Sequence, residues 1–288
     1  GKAYESKLKI IVMKGFSMGD HAAGSYAFGT FDENQDELAR LKQQAAIVSE
    51  MEGRVLREVG LKPGMRALDL ACGPGIVTAL LAEMVTPADV IGVDLSEDLL
   101  HEAHTYLESR GTRNATFQQG DVYSLDESLG VFDFIYTRFL FQHLADPKLA
   151  LSKILPRLSP GGRLCVVDID DAWLTLHPEP AGFRTFTQRA AEGQSRSGGD
   201  RNVGRKLGGM LQEAGLEQVD VHVTTVNSHQ LGMRNFLDIT TGFKKEQVAE
   251  EHSNEARKDL EEIYKCVDMK DAWGFVAVFV ATGTKGRE

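Results

Sequence analysis

The chain has 288 residues, with 32 Lys plus Arg against 42 Asp plus Glu, a net charge of −10. Hydrophobic residues at 42% and charged residues at 26% describe a globular chain rather than a disordered or collagen-like one. The length suits one large or two modest domains, and the acidic balance argues against a nucleic-acid partner, whose phosphates select a basic face.

The first clear element runs over about residues 33–59, where Leu38, Leu41, Ala45, Val48, Met51, Val55 and Val59 recur at steps of three and four. That is an amphipathic helix with an expected break near Gly53, and its apolar stripe would also suit a second copy of the chain, a homo-oligomer. After the turn Lys62-Pro63-Gly64, short apolar runs alternate with helical stretches. Strands are expected over residues 66–70, 90–93, 115–118, 132–136 and 163–168. Between them fall a buried helix over 76–85 and a helix from Ser96; another begins at Asp146-Pro147 and reaches Leu158. A helix over 203–214, a strand over 219–226 and a last strand over 273–281 complete the series. Strands alternating with helices predict an α/β fold: a doubly wound, seven-stranded, mainly parallel sheet. Residues 171–200 and 232–271 break the rhythm and read as cap insertions over a core of 61–170, 201–231 and 272–283, with 18–60 as N-terminal lid helices.

Residues 1–17 carry Lys2, Lys7, Lys9 and Lys14 around a short apolar stretch, too short for a secretory signal; they read as a leader or loose extension, with Met18 a candidate natural start. Cys72, Cys165 and Cys266 are spaced too widely for a disulfide framework or a Cys-x-x-Cys metal site, which suits a reducing cytoplasm. No apolar run approaches the roughly 18 residues of a membrane span.

The informative segment is Leu68-Asp69-Leu70-Ala71-Cys72-Gly73-Pro74-Gly75, a strand joined to a buried helix through two glycines. Lacking a Cβ, Gly73 and Gly75 let backbone approach a ligand closely. Asp94 ends the next strand about 20 residues on, where an acid accepts both hydroxyls of a ribose. A nucleoside-bearing cofactor follows. A nicotinamide fingerprint would need a third glycine where Thr78 stands, and its pyrophosphate would meet Asp69 unfavourably. A sulfonium and an ammonium, both supplied by S-adenosylmethionine, suit a carboxylate there. Asp69 has an alternative role, capping the buried helix.

These residues resemble the class I S-adenosylmethionine-dependent methyltransferases, of the small-molecule type similar to the ubiquinone/menaquinone biosynthesis enzymes. Leu68 to Gly75 resembles their first motif, implying cofactor contacts from Asp69, Ala71, Cys72, Gly73 and Gly75; Asp94 with Leu95 resembles the ribose-binding end of the second strand. Gly120-Asp121-Val122 resembles the adenine-binding turn; Asp121 alone reads as a turn residue. Phe132 to Ile135, followed by Arg138 and Gln142-His143-Leu144, and then Pro160-Gly161-Gly162, resemble the later elements. By the same resemblance the Arg138 backbone carbonyl approaches the methionine end of the cofactor, its side chain being equally well structural. The resemblance spans roughly Leu61 to Val226 and implies S-adenosylmethionine as cofactor, S-adenosylhomocysteine as product and a small-molecule acceptor. The segment Tyr136-Thr137-Arg138-Phe139 lacks the Asn/Asp/Ser-Pro-Pro-aromatic motif of enzymes that methylate bases or glutamine amides.

His143 is the candidate catalytic base, with a loop-steadying histidine as the alternative. Gln142, His143, Trp173, Phe183 and Phe236 are candidate acceptor contacts, the aromatics equally able to pack the cap. Tyr26 is a lid candidate or a core tyrosine, with Gln44 a weaker candidate. Asp168, Asp170 and Asp171 cluster after the fifth strand; such acids commonly cap helices, and no metal is expected. The competing functions are a cofactor-binding regulator or non-methylating catalyst, and an NAD(P)-dependent oxidoreductase.

Overall fold

The computed structural model describes residues 49–287. Tyr26, Gln44 and the 1–17 extension therefore lie outside the described residues.

Eight strands form one sheet: β1 (Ala67–Leu70), β2 (Val90–Asp94), β3 (Ala115–Gln119), β4 (Phe132–Arg138), β5 (Leu158–Ile169), β6 (Thr175–His177), β7 (Glu217–Asn227) and β8 (Trp273–Thr284). The order is β3-β2-β1-β4-β5-β8, with β6 and β7 also on β8. β3, β2, β1, β4 and β5 are parallel, and β8 runs antiparallel to its three neighbours. β1 is buried along its whole length, as expected of a strand covered on both faces.

The seven expected strands are present and an eighth is added. Phe275 of β8 pairs with both Thr175 and Asn227, and Val278 with both Ile169 and Thr224. A strand has two edges, so β5 and β6 share one and β7 takes the other. β6 is thus an end-to-end continuation of β5 across the short turn Asp171–Trp173. Three residues inside a segment rich in Pro and charge carry too little alternation to be legible as a strand.

Helices cover both faces. Residues 49–58 form α1, which runs through Gly53 without the expected break. α2 (Ile76–Val85) is buried along most of its length. α3 (Glu97–Arg110) has the start and stop that its sequence announces: Ser96 accepts from the Leu99 amide, Glu97 and Asp98 lie in the first turn, and Gly111 ends it in the left-handed region. α4 (Pro147–Ile154) starts at the Asp146 cap but stops four residues short of Leu158. Pro156 lacks an amide proton and restricts Leu155, so the chain tightens into a 3-10 turn over Leu155–Arg157, and Leu158 joins β5 opposite Phe132. The expected 203–214 helix likewise begins as a 3-10 turn, Gly204–Lys206, before α6 (Leu207–Glu213).

The inserted stretches supply α5 (Phe183–Arg196), α8 (Met233–Thr240) and α9 (Ser253–Tyr264), while the one-turn α7 (Ser228–Leu231) ends the expected core segment 201–231 just before the second of them. They share one apolar cluster with a face of the sheet: Phe183, Phe186, Phe236 and Ile263 pack with Phe134, Tyr136, Val278 and, from α1 and the turn after it, Val55, Leu56 and Val59. The other face packs on α4 and α6 through Ala150, Leu151, Ile154, Leu207 and Leu211. The described end of the N-terminal stripe is thus spent on the chain's own core. Among the described residues no helix is long and apolar enough to cross a membrane.

Candidate active site

In a parallel sheet the carboxyl ends of the strands form the ligand crevice. Two residues there hold the left-handed region without being glycine: Ala71 after β1 (φ 59°) and Phe139 after β4 (φ 55°). Each costs on the order of 1–2 kcal/mol, and such strain collects at functional sites. Between them lies the glycine loop. Gly75 (φ 77°) precedes α2 where an added Cβ would stand 2.8 Å from both Ala103 Cβ and Phe117 Cζ, so close packing of α2 on α3 and β3 demands glycine. Gly73 (φ 54°) faces open space instead, with nothing within 4 Å of that position. One glycine serves packing; the other leaves room for a ligand.

Asp94 ties the crevice together. Its Oδ2 accepts from the Gly73 amide at 2.8 Å, 21 residues away, and its Oδ1 from the Ser96 amide at 2.9 Å. Leu95 beside it is 56% exposed, an apolar face open at the rim. Asp121 uses Oδ1 to cap the following turn through the Tyr123 amide at 2.9 Å. Gly120 docks its amide on the Asp94 carbonyl at 3.0 Å, and Val122 is half-buried against the α4 side of the core. Cys72 is buried; burial and the charges of Asp69 and Asp94 push its thiol far up, so it is a packed thiol rather than a nucleophile.

Asp69 is almost fully buried, and its Oδ2 accepts from Thr78 Oγ1 at 2.6 Å. Both features that argue against a nicotinamide fingerprint, the strand acid and the missing third glycine, are thus one contact between β1 and α2. Burial pushes the Asp69 carboxyl up to about 7, against the Thr78 bond and the Arg138 charge, which favour ionisation. A cation arriving there would do the same. Arg138 holds Glu52 of α1 at 3.2 Å across 86 residues. Burial raises Glu52 in spite of Arg138. Glu52 is not a site residue by any sequence motif, although a carboxylate at the spacing of Leu56 and Val59 marks a charge on a buried stripe.

The β4–β5 end is polar and enclosed. Asp168 is fully buried; its Oδ2 accepts from the Gln142 amide at 3.1 Å and its Oδ1 from the Ile169 amide at 2.8 Å. Burial raises it to about 7, against those amides and Arg201. Asp171 accepts the fork of Arg201 at 2.9 and 3.0 Å, and Lys244 approaches it at 3.1 Å. Burial would raise Asp171, but Arg201 and Lys244 outweigh it and hold the carboxyl below its usual range. Asp170 takes Arg205 Nη2 at 2.7 Å and caps the Ala172 amide. The three acids are thus engaged by cations and backbone amides.

Gln142 is fully buried and is a hub rather than an open substrate contact, with His143 half-buried beside it. Burial, then the Arg201 charge, push His143 down to about 3, so the ring is neutral at ordinary pH. Phe183 and Phe236 are 0% exposed and sit in the cap's core, where burial of each stabilises by about 2–3 kcal/mol. Packing accounts for both. Trp173 is 52% exposed at the rim. Arg201 and Lys244 were not found from sequence; three acids after a buried strand announce partner cations, but nothing local says which.

Of the eight buried side-chain polar atoms without a partner among the described residues, five gather here: Glu52 Oε1, Tyr136 OH, Thr137 Oγ1, Gln142 Nε2 and His143 Nε2. Glu52 aside, they fall in eight consecutive positions, the end of β4 and the turn behind it. Buried polar atoms ordinarily find partners, so this is where a ligand or ordered water is called for.

Left-handed glycines, an acid at the end of β2 and a polar enclosure behind β4 define a Rossmann-like protein built to hold a nucleoside-bearing ligand. The methyltransferase-domain family model matches residues 61–215, more than half of the chain. The chain belongs to that family. A demethylmenaquinone methyltransferase of Thermus thermophilus is 33% identical over 133 residues, 44% of this chain and 57% of that protein. An uncharacterized 37.1 kDa protein in a Streptomyces fradiae transposon is 32% identical over 185 residues, 63% of this chain and 52% of that protein. The chain thus spans about half the length of the curated relatives it matches. Among solved structures, phosphoethanolamine N-methyltransferase 2 of Haemonchus contortus in complex with S-adenosyl-L-methionine shares the fold at TM-score 0.53 and 17% identity, covering 82% of this chain and 52% of that one.

Proposed function

We propose that the protein is an S-adenosylmethionine-dependent methyltransferase acting on a small, partly apolar or aromatic metabolite. The observation that carries this reading is the crevice at the ends of β1 and β2, with Gly73 opening space beside two buried carboxylates in a chain of the methyltransferase-domain family.

The residues fit the cofactor. Asp94 would take the ribose hydroxyls, the Leu95 face and the Asp121-Val122 turn the adenine, and Ala71, Cys72, Gly73 and the Arg138 carbonyl the methionine end. S-adenosylmethionine supplies, when bound, a methyl group already activated on a sulfonium. What this chain must add is alignment and exclusion of water. The carboxylates Asp69 and Asp94 oppose the positive charge of the donor, and a cation nearby favours the ionised form of Asp69. The left-handed turns at Ala71 and Phe139 hold the crevice walls. His143 stands on the acceptor side as a neutral ring, suited to orient an acceptor by a hydrogen bond and poorly basic at pH 7. An amine, thiolate or carbanion acceptor needs no stronger base. Trp173 offers an apolar surface at the rim. The relative named demethylmenaquinone methyltransferase agrees with a small-molecule acceptor.

Calorimetry tests the reading. S-adenosylhomocysteine is expected to bind and NAD(P) not to; the reverse preference overturns it. An acceptor screen with a homocysteine readout then identifies the substrate.

A further inference from the structure

Three of the four polar groups of Gln142 are claimed, its Nε2 being the exception. Its amide donates to Asp168 Oδ2, its carbonyl accepts from the Asp200 amide at 2.8 Å and Gln194 Nε2 at 2.9 Å, and its Oε1 accepts from Arg201 Nη1. Gln194 in turn accepts from Gln247 Nε2 at 2.8 Å. Arg201 is 5% exposed and doubly clamped to Asp171: by its side-chain fork and by its carbonyl, which accepts the Asp171 amide at 2.9 Å. Its Cζ lies 5.4 Å from the Phe243 ring, over which Lys244 Nζ also stands at 4.8 Å. Lys244 further donates to the Thr240 carbonyl at 2.7 Å.

Four separate segments therefore meet at one buried guanidinium: the turn behind β4, the end of β5, the loop after α5 and the stretch after α8. Burying two cations and their carboxylate is costly, and apolar residues of similar volume would serve stability as well or better. What an apolar core cannot do is fix the direction of a polar turn. The residue next to Gln142 is His143, whose Nε2 is buried and unpartnered.

We propose that Arg201 is a positioning residue of the methyl-transfer site: through Gln142 it fixes the turn that carries His143, and through Asp171 and Lys244 it locks that turn to the cap. The proposal rests on the methyltransferase reading for what His143 faces, but not for its own test. Around the turn the charged groups are Asp168, which accepts the Gln142 amide, Asp200, whose amide donates to the Gln142 carbonyl, Asp171, Lys244 and Arg201; of these Arg201 is the one whose charge bears on the imidazole, with burial the larger influence. Lysine would keep the charge but lose the planar fork that holds Asp171 and Gln142 together.

The experiment is histidine NMR on the full chain with S-adenosylhomocysteine added, the His143 signal being assigned with His143→Gln. In the wild type that signal is expected to remain a neutral ring's from about pH 5 to about pH 8. Arg201→Gln is expected to raise the titration of the ring while leaving it below about pH 5, burial being the larger influence, and to move the signal at pH 8. Arg201→Lys is expected to leave the ring neutral yet still move the pH 8 signal, because the fork is lost. If His143 in both variants superimposes on the wild type at every pH, the proposal is overturned. Should Arg201→Gln fail to fold, the lysine variant decides alone: a moved signal supports the positioning role and an unmoved one ends it. Calorimetry on the same samples separates the two ideas. Wild-type protein that fails to bind S-adenosylhomocysteine would sink the cofactor reading, whereas loss of binding in Arg201→Lys alone would place Arg201 in the cofactor site and overturn its role on the acceptor side.

Discussion

The two ends of the crevice are built in different ways. At β1 and β2 the contacts are made by neighbours in a short stretch of chain: Asp69 to Thr78 across 9 residues, Asp94 to Gly73 across 21, and the Asp121 cap across 2. Most are aimed by backbone amides. At β4 and β5 the contacts are side chain to side chain across long intervals: Gln142 to Arg201 across 59 residues and Lys244 to Asp171 across 73. The first end is a local backbone cradle; the second is a buried charge network assembled by the fold.

The sharpest way to break this contrast is to remove the acid at the centre of the network. Asp171→Ala leaves Arg201 and Lys244 buried and uncompensated, and a loss of about 3–5 kcal/mol in unfolding free energy is expected from denaturant titration. A loss below about 1 kcal/mol would mean that the network is solvated or can rearrange. In the cradle, Asp94→Ala removes the acceptor of two backbone amides as well as the proposed ribose contact. With bonds to a charged group worth about 1.5–3 kcal/mol, S-adenosylhomocysteine affinity is expected to fall about 10–100-fold by calorimetry. Unchanged affinity would separate the glycine loop from ligand binding.

A third measurement uses pH. Asp69 has its carboxyl raised to about 7 from 3.8. The folded state then keeps a proton that the unfolded chain releases, so stability declines as pH rises from about 4 to about 7 and levels off above. Asp69→Asn is expected to flatten that part of the stability profile by up to about 1.4 kcal/mol per pH unit; a slope equal to the wild type's would remove Asp69 from the account. The smallest effect is expected at His143, where a neutral ring orients rather than stores a proton. His143→Ala should slow turnover by roughly tenfold, below the range of a full acid–base catalyst, with less change in S-adenosylhomocysteine affinity. Full activity would leave His143 only a structural role.

Legibility in the sequence followed the same division. The 76–85 helix, the Ser96 and Asp146 caps and the glycine loop were readable because each depends on a few adjacent residues. Glu52, Arg201 and Lys244 were not, since a buried ion is invisible until the fold shows which surface is enclosed. Gln142, by sequence a candidate substrate contact, is a hub in the structure; Phe183 and Phe236, candidates of the same kind, fill the cap's interior. An aromatic in a segment of unknown packing looks the same whether it lines a pocket or fills a core.

Taken by itself, the sequence determined the alternating strands and helices, the turn that only glycine permits and the acid that ends β2, because hydrophobic periodicity and backbone restriction act over short distances. The tertiary structure alone decided that β6 extends β5, that Thr78 takes the Asp69 carboxylate, and that Arg201 joins four segments behind β4. Those outcomes depend on which groups lose their water together, a property of the folded surface and of no single stretch of chain.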